Sequence, residues 1–238
     1  MDKKVVCLPS RLSIILLLAI LICSPYQANA VDWESQSIPS DALLDGVWGS
    51  SSSDVFAIGN VGLTEGLILH YNGSSWSQMS CETVGRLFRI WGTSSNNVFA
   101  VGENGAILHY NGTEWSAMES STTINLHSIY GFAPDDVFVV GGFYEEEDFL
   151  NSHGIILHYD GSSWTEVFST DEWRLYDVWG SSADDIFVIG MRYNLVDISL
   201  EKRSCICHYD GQTWSVTPYQ PDRDITLSGI WGFSDKFP

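Results

Sequence analysis

The chain has 238 residues, with 30 acidic and 11 basic side chains, a net charge of −19 and 45% hydrophobic residues. A charge of this sign repels nucleic acid and anionic membrane surfaces, so neither is expected as a partner. The length is sufficient for one large domain or two small ones.

The first 30 residues are predicted to be a signal peptide. Lys3, Lys4 and Arg11 give a basic start, an apolar run follows from Leu12 to Cys23, and Ala28-Asn29-Ala30 offers a cleavage site. This order is typical of secretion, and the run is short for a membrane span. We therefore expect a secreted, extracellular or cell-surface protein without membrane insertion, the alternatives being an uncleaved anchor, a periplasmic location or a lipoprotein.

After a lead-in at residues 31–42, one pattern repeats through the rest of the chain. Each copy reads Leu-x-x-(Val/Ile)-Trp-Gly, a Ser/Asp/Asn stretch, (Val/Ile)-Phe-(Ala/Val)-(Ile/Val)-Gly, a variable gap, His-Tyr, and (Asn/Asp)-Gly-x-x-Trp. The aromatic anchors are 43, 39, 49 and 52 residues apart: Trp48, Trp91, Tyr130, Trp179 and Trp231. A period of this length, built from strand-like pieces, is typical of β-propeller blades. The predicted repeats span about 43–79, 86–118, 125–167, 174–217 and, in part, 226–238.

Turn chemistry divides each copy into four strands, which we name a to d in chain order. Strand b is apolar at every position, as expected for a strand that is covered on both faces. The Asn-Gly and Asp-Gly pairs between strands c and d are strong hairpin signals. We predict an all-β propeller of four-stranded antiparallel blades, with four complete repeats and the first strand of a fifth, as a truncated or incomplete ring.

The segment "WGSSSSDVFAIG … LILHYNGSSW" resembles repeats of secreted bacterial propeller proteins of the form "WGSSSSDVFAVG … GTILHYDGSSW". The resemblance covers about residues 43–233; it implies the fold and says little about activity. The Asp/Asn-Gly-x-x-Trp turn is more distantly similar to the Asp-box of sialidase-like propellers, to the photosystem II assembly-factor propeller and to the kelch group. An Asp-box has an extra residue between Asp and Gly, and the kelch Gly-Gly pair occurs here only at Gly141-Gly142.

Four histidines recur on strand c, and a metal site is the first interpretation to consider for them. Strand c stands about 10 Å outside the innermost strand, so these side chains cannot converge on one ion, and we predict hydrogen bonds between strands instead. Cys205 and Cys207 replace core aliphatic residues, and a disulfide from Cys81 to one of them is left open. The histidines are His70, His109, His158 and His208.

Length variation is concentrated in the connections between strands b and c, which span 7, 3, 13 and 14 residues. Strands alternate in direction, so these connections share one face with the d–a connections, and insertions on one face of a repeat protein mark its binding face. Two insertions, 142–154 and 191–204, are expected as loops that combine aromatic and charged residues. The candidate ligand-binding residues are Tyr144, Glu145, Glu146, Glu147, Asp148, Phe149, Arg192, Tyr193 and Asp197.

The functional expectation is an exported, non-enzymatic binding module that recognises an extracellular protein or carbohydrate through this face. No cofactor is expected, and Ca²⁺ binding is left open because of the acidic composition. No catalytic motif stands out. The alternative is a propeller-class glycoside hydrolase or lyase, for which fold analogy is the main support.

Overall fold

The computed structural model describes residues 35–38, 42–62, 64–81, 85–145, 148–196, 199–219 and 226–232, and for residues 144–151 and 194–201 no side chain is described. The predicted signal peptide at residues 1–30 lies outside the described residues. No helix among the described residues is long and apolar enough to cross a membrane. Residues from Ala42 onward form one compact unit, and every described strand lies in it.

In the described part of the chain, sixteen strands form four antiparallel sheets, each of four strands that are consecutive in the chain. One short 3-10 turn, Glu103–Gly105, forms the connection between strands b and c of the second sheet. The strands are β1 (Leu43–Ser51), β2 (Asp54–Val61), β3 (Glu65–Tyr71), β4 (Trp76–Met79), β5 (Leu87–Ser94), β6 (Asn97–Gly102), β7 (Ile107–Tyr110), β8 (Trp115–Met118), β9 (Leu126–Ala133), β10 (Asp136–Glu145), β11 (Asp148–Tyr159), β12 (Trp164–Thr170), β13 (Arg174–Ser182), β14 (Asp185–Val196), β15 (Ser199–Tyr209) and β16 (Trp214–Tyr219).

Each sheet packs face to face on the next one along the chain, and the first strands of consecutive sheets lie beside one another: β1 and β5, β5 and β9, β9 and β13. Four-stranded antiparallel sheets arranged in this way are the blades of a β-propeller. The predicted fold class is therefore confirmed.

Three apolar clusters fill the spaces between consecutive blades. In the first, Phe56, Ile58 and Ile68 of one sheet pack on Leu87 and Ile90 of the next. The other two clusters repeat the arrangement one and two blades further along. In the second and third blades, alternate side chains of strand b enter two different clusters, and this burial from both sides explains why the strand is apolar throughout.

The Trp-Gly pair of strand a also connects neighbouring blades. A Cβ atom at Gly131 would meet the Trp91 ring of the preceding blade at 2.6 Å, and one at Gly92 would meet Trp48 at 3.1 Å. Only glycine lets the indole lie directly on the backbone of the next blade. In the third blade Tyr130 replaces the tryptophan, and Phe132 covers Gly180 instead.

The first and last parts of this unit differ from its middle. Val47 on β1 is 69% exposed, whereas its counterparts Ile90, Ile129 and Val178 are at most 8% exposed. These counterparts pack on a preceding blade, and no sheet precedes β1 among the described residues. Residues 226–232, expected as the first strand of a fifth repeat, follow the fourth sheet without strand pairing, with the Leu227 amide donating to Ser204 Oγ at 3.0 Å.

The two long insertions are β-hairpins rather than the loops expected from sequence. β14 and β15 pair in continuous register from Ile186 opposite Tyr209 to Val196 opposite Ser199. β10 and β11 likewise pair from Val137 opposite Tyr159 out to Glu145 opposite Asp148, with one register shift. Continuing the ladder satisfies the backbone N–H and C=O groups of the inserted residues, and an irregular loop would need other partners for them.

Candidate functional site

The sheet ends define two faces of the molecule. We call the side with the a–b and c–d turns the turn face, and the side with the b–c and d–a connections the hairpin face. On the turn face each blade repeats one unit, in which a strand-c histidine stacks on a strand-b phenylalanine and bonds to the residue that begins strand b. In the third blade His158 lies 4.5 Å from the Phe138 ring centre and its Nε2 is 2.8 Å from Asp136 Oδ1.

The other three blades keep this unit with small changes. The ring centres are 4.3–4.6 Å apart in every copy, and the second blade has asparagine in place of aspartate. The four histidines thus make hydrogen bonds between strands, each within its own blade. The remaining units are Phe56–His70–Asp54, Phe99–His109–Asn97 and Phe187–His208–Asp185.

The c–d turns complete the turn face with one repeated side-chain motif. Asp160 Oδ1 accepts hydrogen bonds from Ser162 Oγ and from the backbone amides of Ser162 and Ser163, at 2.6–2.9 Å. The Ser162 hydroxyl, followed by the two amides, lowers the pKa of Asp160 to about 2. Asn72, Asn111 and Asp210 accept the same pair of backbone amides in their turns.

The hairpin face is built differently, because strand a bulges where it begins in each blade. The pairing of β5 with β6 passes from Leu87 directly to Arg89, which leaves Phe88 as the extra residue. β9 and β13 skip His127 and Tyr176 in the same way, and β1 skips Asp45. A bulge turns a side chain out of the regular alternation, and bulges are common beside functional sites.

Three of these extra residues form a row along the innermost strands, which we call the inner ladder: Phe88, His127 and Tyr176. The His127 ring centre lies 5.6 Å from both Phe88 and Tyr176, with interplanar angles near 30°. The guanidinium carbon of Arg86 is 5.4 Å from the Phe88 ring centre, and that of Arg174 is 4.7 Å from the Tyr176 ring centre. All three ladder side chains are half-buried, so the row is partly open to solvent.

His127 at the centre of the ladder is held in its neutral form. Its Nε2 lies 3.1 and 2.9 Å from Nε and Nη2 of Arg174, and 2.9 Å from the Gly142 carbonyl oxygen. Arginine only donates, so one neutral tautomer accepts from Arg174 and the other donates to Gly142. Burial, and then the charge of Arg174, lower the pKa of His127 to about 4.

The residues that follow the bulges connect neighbouring inner strands. Ser128 Oγ donates to Asp177 Oδ1 at 2.6 Å, and Asp177 Oδ2 accepts from the Ile230 amide at 3.0 Å. Arg89 in the second blade is exposed and reaches the Asp45 carbonyl oxygen at 3.5 Å. No carboxylate among the described residues lies within 4.0 Å of the Arg89 guanidinium.

The residues predicted from sequence to bind a ligand lie on the two long hairpins. Arg192 places its guanidinium carbon 4.6 Å from the Trp173 ring centre and its Nη1 3.2 Å from Glu172 Oε2. Tyr193 lies opposite Lys202, whose Nζ is 6.0 Å from the Tyr193 ring centre. Tyr144 and Glu145 end β10, and Asp148 and Phe149 begin β11, with no side chain described, whereas Glu146, Glu147 and Asp197 lie outside the described residues.

Two further aromatic residues contribute to this face, and of these only Trp173 was not singled out from the sequence. Trp173 precedes the repeat pattern and is 2% exposed, yet it forms the surface on which Arg192 lies. Phe143 stacks on His153 at 5.7 Å, and His153 Nδ1 is 2.7 Å from Asp171 Oδ1. The variability of the strand-a positions was visible in the sequence, but their stacking into a ladder depends on the bulges.

Positive charge is confined to the hairpin face among the described residues. Every described lysine and arginine lies either where strand a begins or on the β14–β15 extension, although the chain as a whole is strongly acidic. The turn face contributes only acidic and neutral side chains. The six basic residues are Arg86, Arg89, Arg174, Arg192, Lys202 and Arg203.

A recess of about 900 Å³ opens beside the second blade, where the b–c connection is shortest. Its lining includes Asn104 and Ser121, the two non-glycine residues with positive φ in the described part of the chain, at 54° and 59°. Ile107 and Met118 contribute apolar surface, and the hydroxyls of residues 120–123 contribute polar groups. The recess is wide and shallow, and Glu119 adds one acidic side chain to its otherwise uncharged lining.

Neither metal ligands nor disulfides are assembled in the described part of the chain. No group of three or more His, Cys, Asp or Glu side chains is placed there to hold an ion. Cys205 and Cys207 are fully buried free thiols in the cluster between the third and fourth blades, and Cys81 is a free thiol against the cluster between the first and second.

Among known proteins, similarity to this chain is found only in comparison with solved structures. No protein-family model and no curated protein sequence matches the chain. The structure of YCF48 bound to D1 peptide is 14% identical, with 79% of this chain and 71% of that chain covered and a TM-score of 0.38. YCF48 from Cyanidioschyzon merolae is 13% identical, with 76% and 86% covered and a TM-score of 0.38. Likeness at this level carries no functional inference.

Proposed function

We propose that this protein is an exported binding module that recognises a protein or glycan partner through its hairpin face. The observation that carries the proposal is the position of all six described basic side chains on that face of an acidic chain. Complementary potentials guide association and fix the orientation of a partner. An anionic partner would be repelled by the turn face and attracted only by the hairpin face.

The composition of the face supports the same conclusion. Arg86, Arg174 and Arg192 each lie over an aromatic ring, and arginine and aromatic residues dominate the binding energy of protein interfaces. Stacking holds each guanidinium in place before a partner arrives, which lowers the entropy lost on binding. The long hairpins extend this surface away from the blades.

Photocrosslinking from the two faces tests the proposal. Benzoylphenylalanine replaces Phe143, which is exposed on the hairpin face, or Gln212, which is exposed in a c–d turn of the turn face. In cells that export the protein, we expect a discrete crosslinked product from position 143 and none from position 212. Equal products from both positions, or a product from position 212 alone, would show that the hairpin face is not the binding surface.

A further inference from the structure

We propose that the inner ladder with Arg89 is the anchor point for a partner, and that the partner presents carboxylates from an acidic polypeptide segment. This inference rests on the proposed function of the hairpin face and names the site and the ligand chemistry within it. It depends on three features: the repeated bulges, the charge around Arg89 and the mixed composition of the surrounding surface.

The bulges place a different side chain at the same structural position in successive blades. The position holds Asp45, Phe88, His127 and Tyr176, while the leucine before it and the Val/Ile two residues after it keep the repeat pattern. Packing between blades explains the constant positions, because Leu87, Leu126 and Leu175 are at most 1% exposed. It places no such demand on the half-buried extra residue, so the sequence at this position is free to serve recognition.

Arg89 supplies a charge available to a ligand at the edge of the ladder. It is exposed, no described carboxylate lies within 4.0 Å, and its contact with the Asp45 carbonyl oxygen is long at 3.5 Å. Arginine binds carboxylates with two parallel hydrogen bonds, and such charge-assisted bonds are stronger than neutral ones. Two more guanidiniums, of Arg86 and Arg174, lie over the rings at the ends of the row.

The surroundings favour a polypeptide over a uniform polyanion. Glu103 accepts from the Arg86 amide at 3.1 Å and Glu172 pairs with Arg192 at 3.2 Å, so acidic groups alternate with the basic ones across the face. A polymer with a negative charge on every unit would meet these carboxylates as well as the guanidiniums. A polypeptide can place its carboxylates at the arginines and apolar side chains against the ladder rings.

Fluorescence anisotropy tests the inference with two labelled peptides, hexaglutamate and the uncharged hexaglutamine. We expect hexaglutamate to bind the purified chain at low salt, and to bind more tightly than hexaglutamine. The affinity for hexaglutamate should fall as salt is added, because salt screens the charges. Losing one charge-assisted hydrogen-bonded pair lowers affinity about tenfold or more, so Arg89→Ala should raise the Kd of hexaglutamate by that factor. Arg89→Lys should recover only part of the loss, because lysine lacks the bidentate geometry.

The matched control is Arg192→Ala, which removes a stacked arginine from the hairpin instead of the ladder. If Arg192→Ala abolishes hexaglutamate binding and Arg89→Ala leaves it unchanged, the ladder is not the anchor, although the proposed function stands. Equal affinity for the two peptides, or tighter binding of oligogalacturonate than of hexaglutamate, overturns the acidic polypeptide as the partner class. The crosslinking experiment tests the proposed function of the hairpin face separately, because its outcome does not depend on which peptide binds or on Arg89.

Discussion

The two faces of this propeller are made by the same strands, yet they differ in how strictly the blades repeat. On the turn face, each blade has the same stacked Phe–His pair and the same side-chain-capped turn. On the hairpin face, the bulged residue changes from blade to blade and two hairpins are much longer than the others. The repeated contacts of the turn face are therefore expected to stabilise the fold, whereas the residues of the hairpin face are free to differ between blades.

The largest expected effect comes from removing one phenylalanine of the repeated unit. Phe99 is 1% exposed, stacks on His109 at 4.6 Å and meets Trp164 at 6.2 Å. Phe99→Ala should lower the free energy of unfolding by about 3–5 kcal/mol, because it leaves a cavity between two blades. Phe143→Ala on the hairpin face is the matched control and should cost about 0.5 kcal/mol. Urea unfolding followed by tryptophan fluorescence measures both, and similar losses would contradict the contrast between the faces.

A fall in pH is expected to lower the free energy of unfolding by an intermediate amount, because His127 in the inner ladder is held in its neutral form. Its folded pKa of about 4 lies below the ordinary value of 6.5, so the unfolded chain takes up the proton first as the pH falls. The contribution of His127 to stability is complete above pH 6.5 and is lost toward pH 4, and it amounts to at most about 3 kcal/mol.

The variant His127→Phe keeps a ring between Phe88 and Tyr176 but cannot titrate. Between pH 6.5 and 4, its free energy of unfolding should fall less steeply than that of the unmodified chain, as measured by urea unfolding at each pH. Parallel curves for the two proteins would mean that His127 is not held neutral by its surroundings.

The smallest effect is expected from exchanging the two residue types used in the c–d turns. Asp160→Asn keeps the accepting oxygen and should leave the melting temperature nearly unchanged, because Asn72 and Asn111 already make this turn. Asp160→Ala removes the acceptor of three hydrogen bonds and should lower the melting temperature. Thermal unfolding of the pair measures the difference, and a large loss in the asparagine variant would show that the charge of Asp160, not its geometry, stabilises the turn.

Much of the fold could be predicted from repetition within the chain. The Asn-Gly and Asp-Gly turns, the apolar strand b and the 39–52-residue spacing together indicate four-stranded blades. The Trp-Gly pair was a reliable marker because the indole of Trp91 requires a residue without Cβ at Gly131. The two insertions were harder to assign, since their charged and aromatic residues resemble those of loops, and only strand pairing in register identifies 191–204 as part of a hairpin.

By itself, the sequence determined the propeller architecture, the division into a constant face and a variable face, and the positions at which the blades differ. Local turn chemistry and apolar alternation are sufficient for this, because each blade repeats the same short-range rules. The tertiary structure alone decided that Phe88, His127 and Tyr176 stack in one row and that the described basic residues share one face. These arrangements join residues about 40–50 positions apart, and they depend on bulges and on packing between blades, which no local pattern specifies.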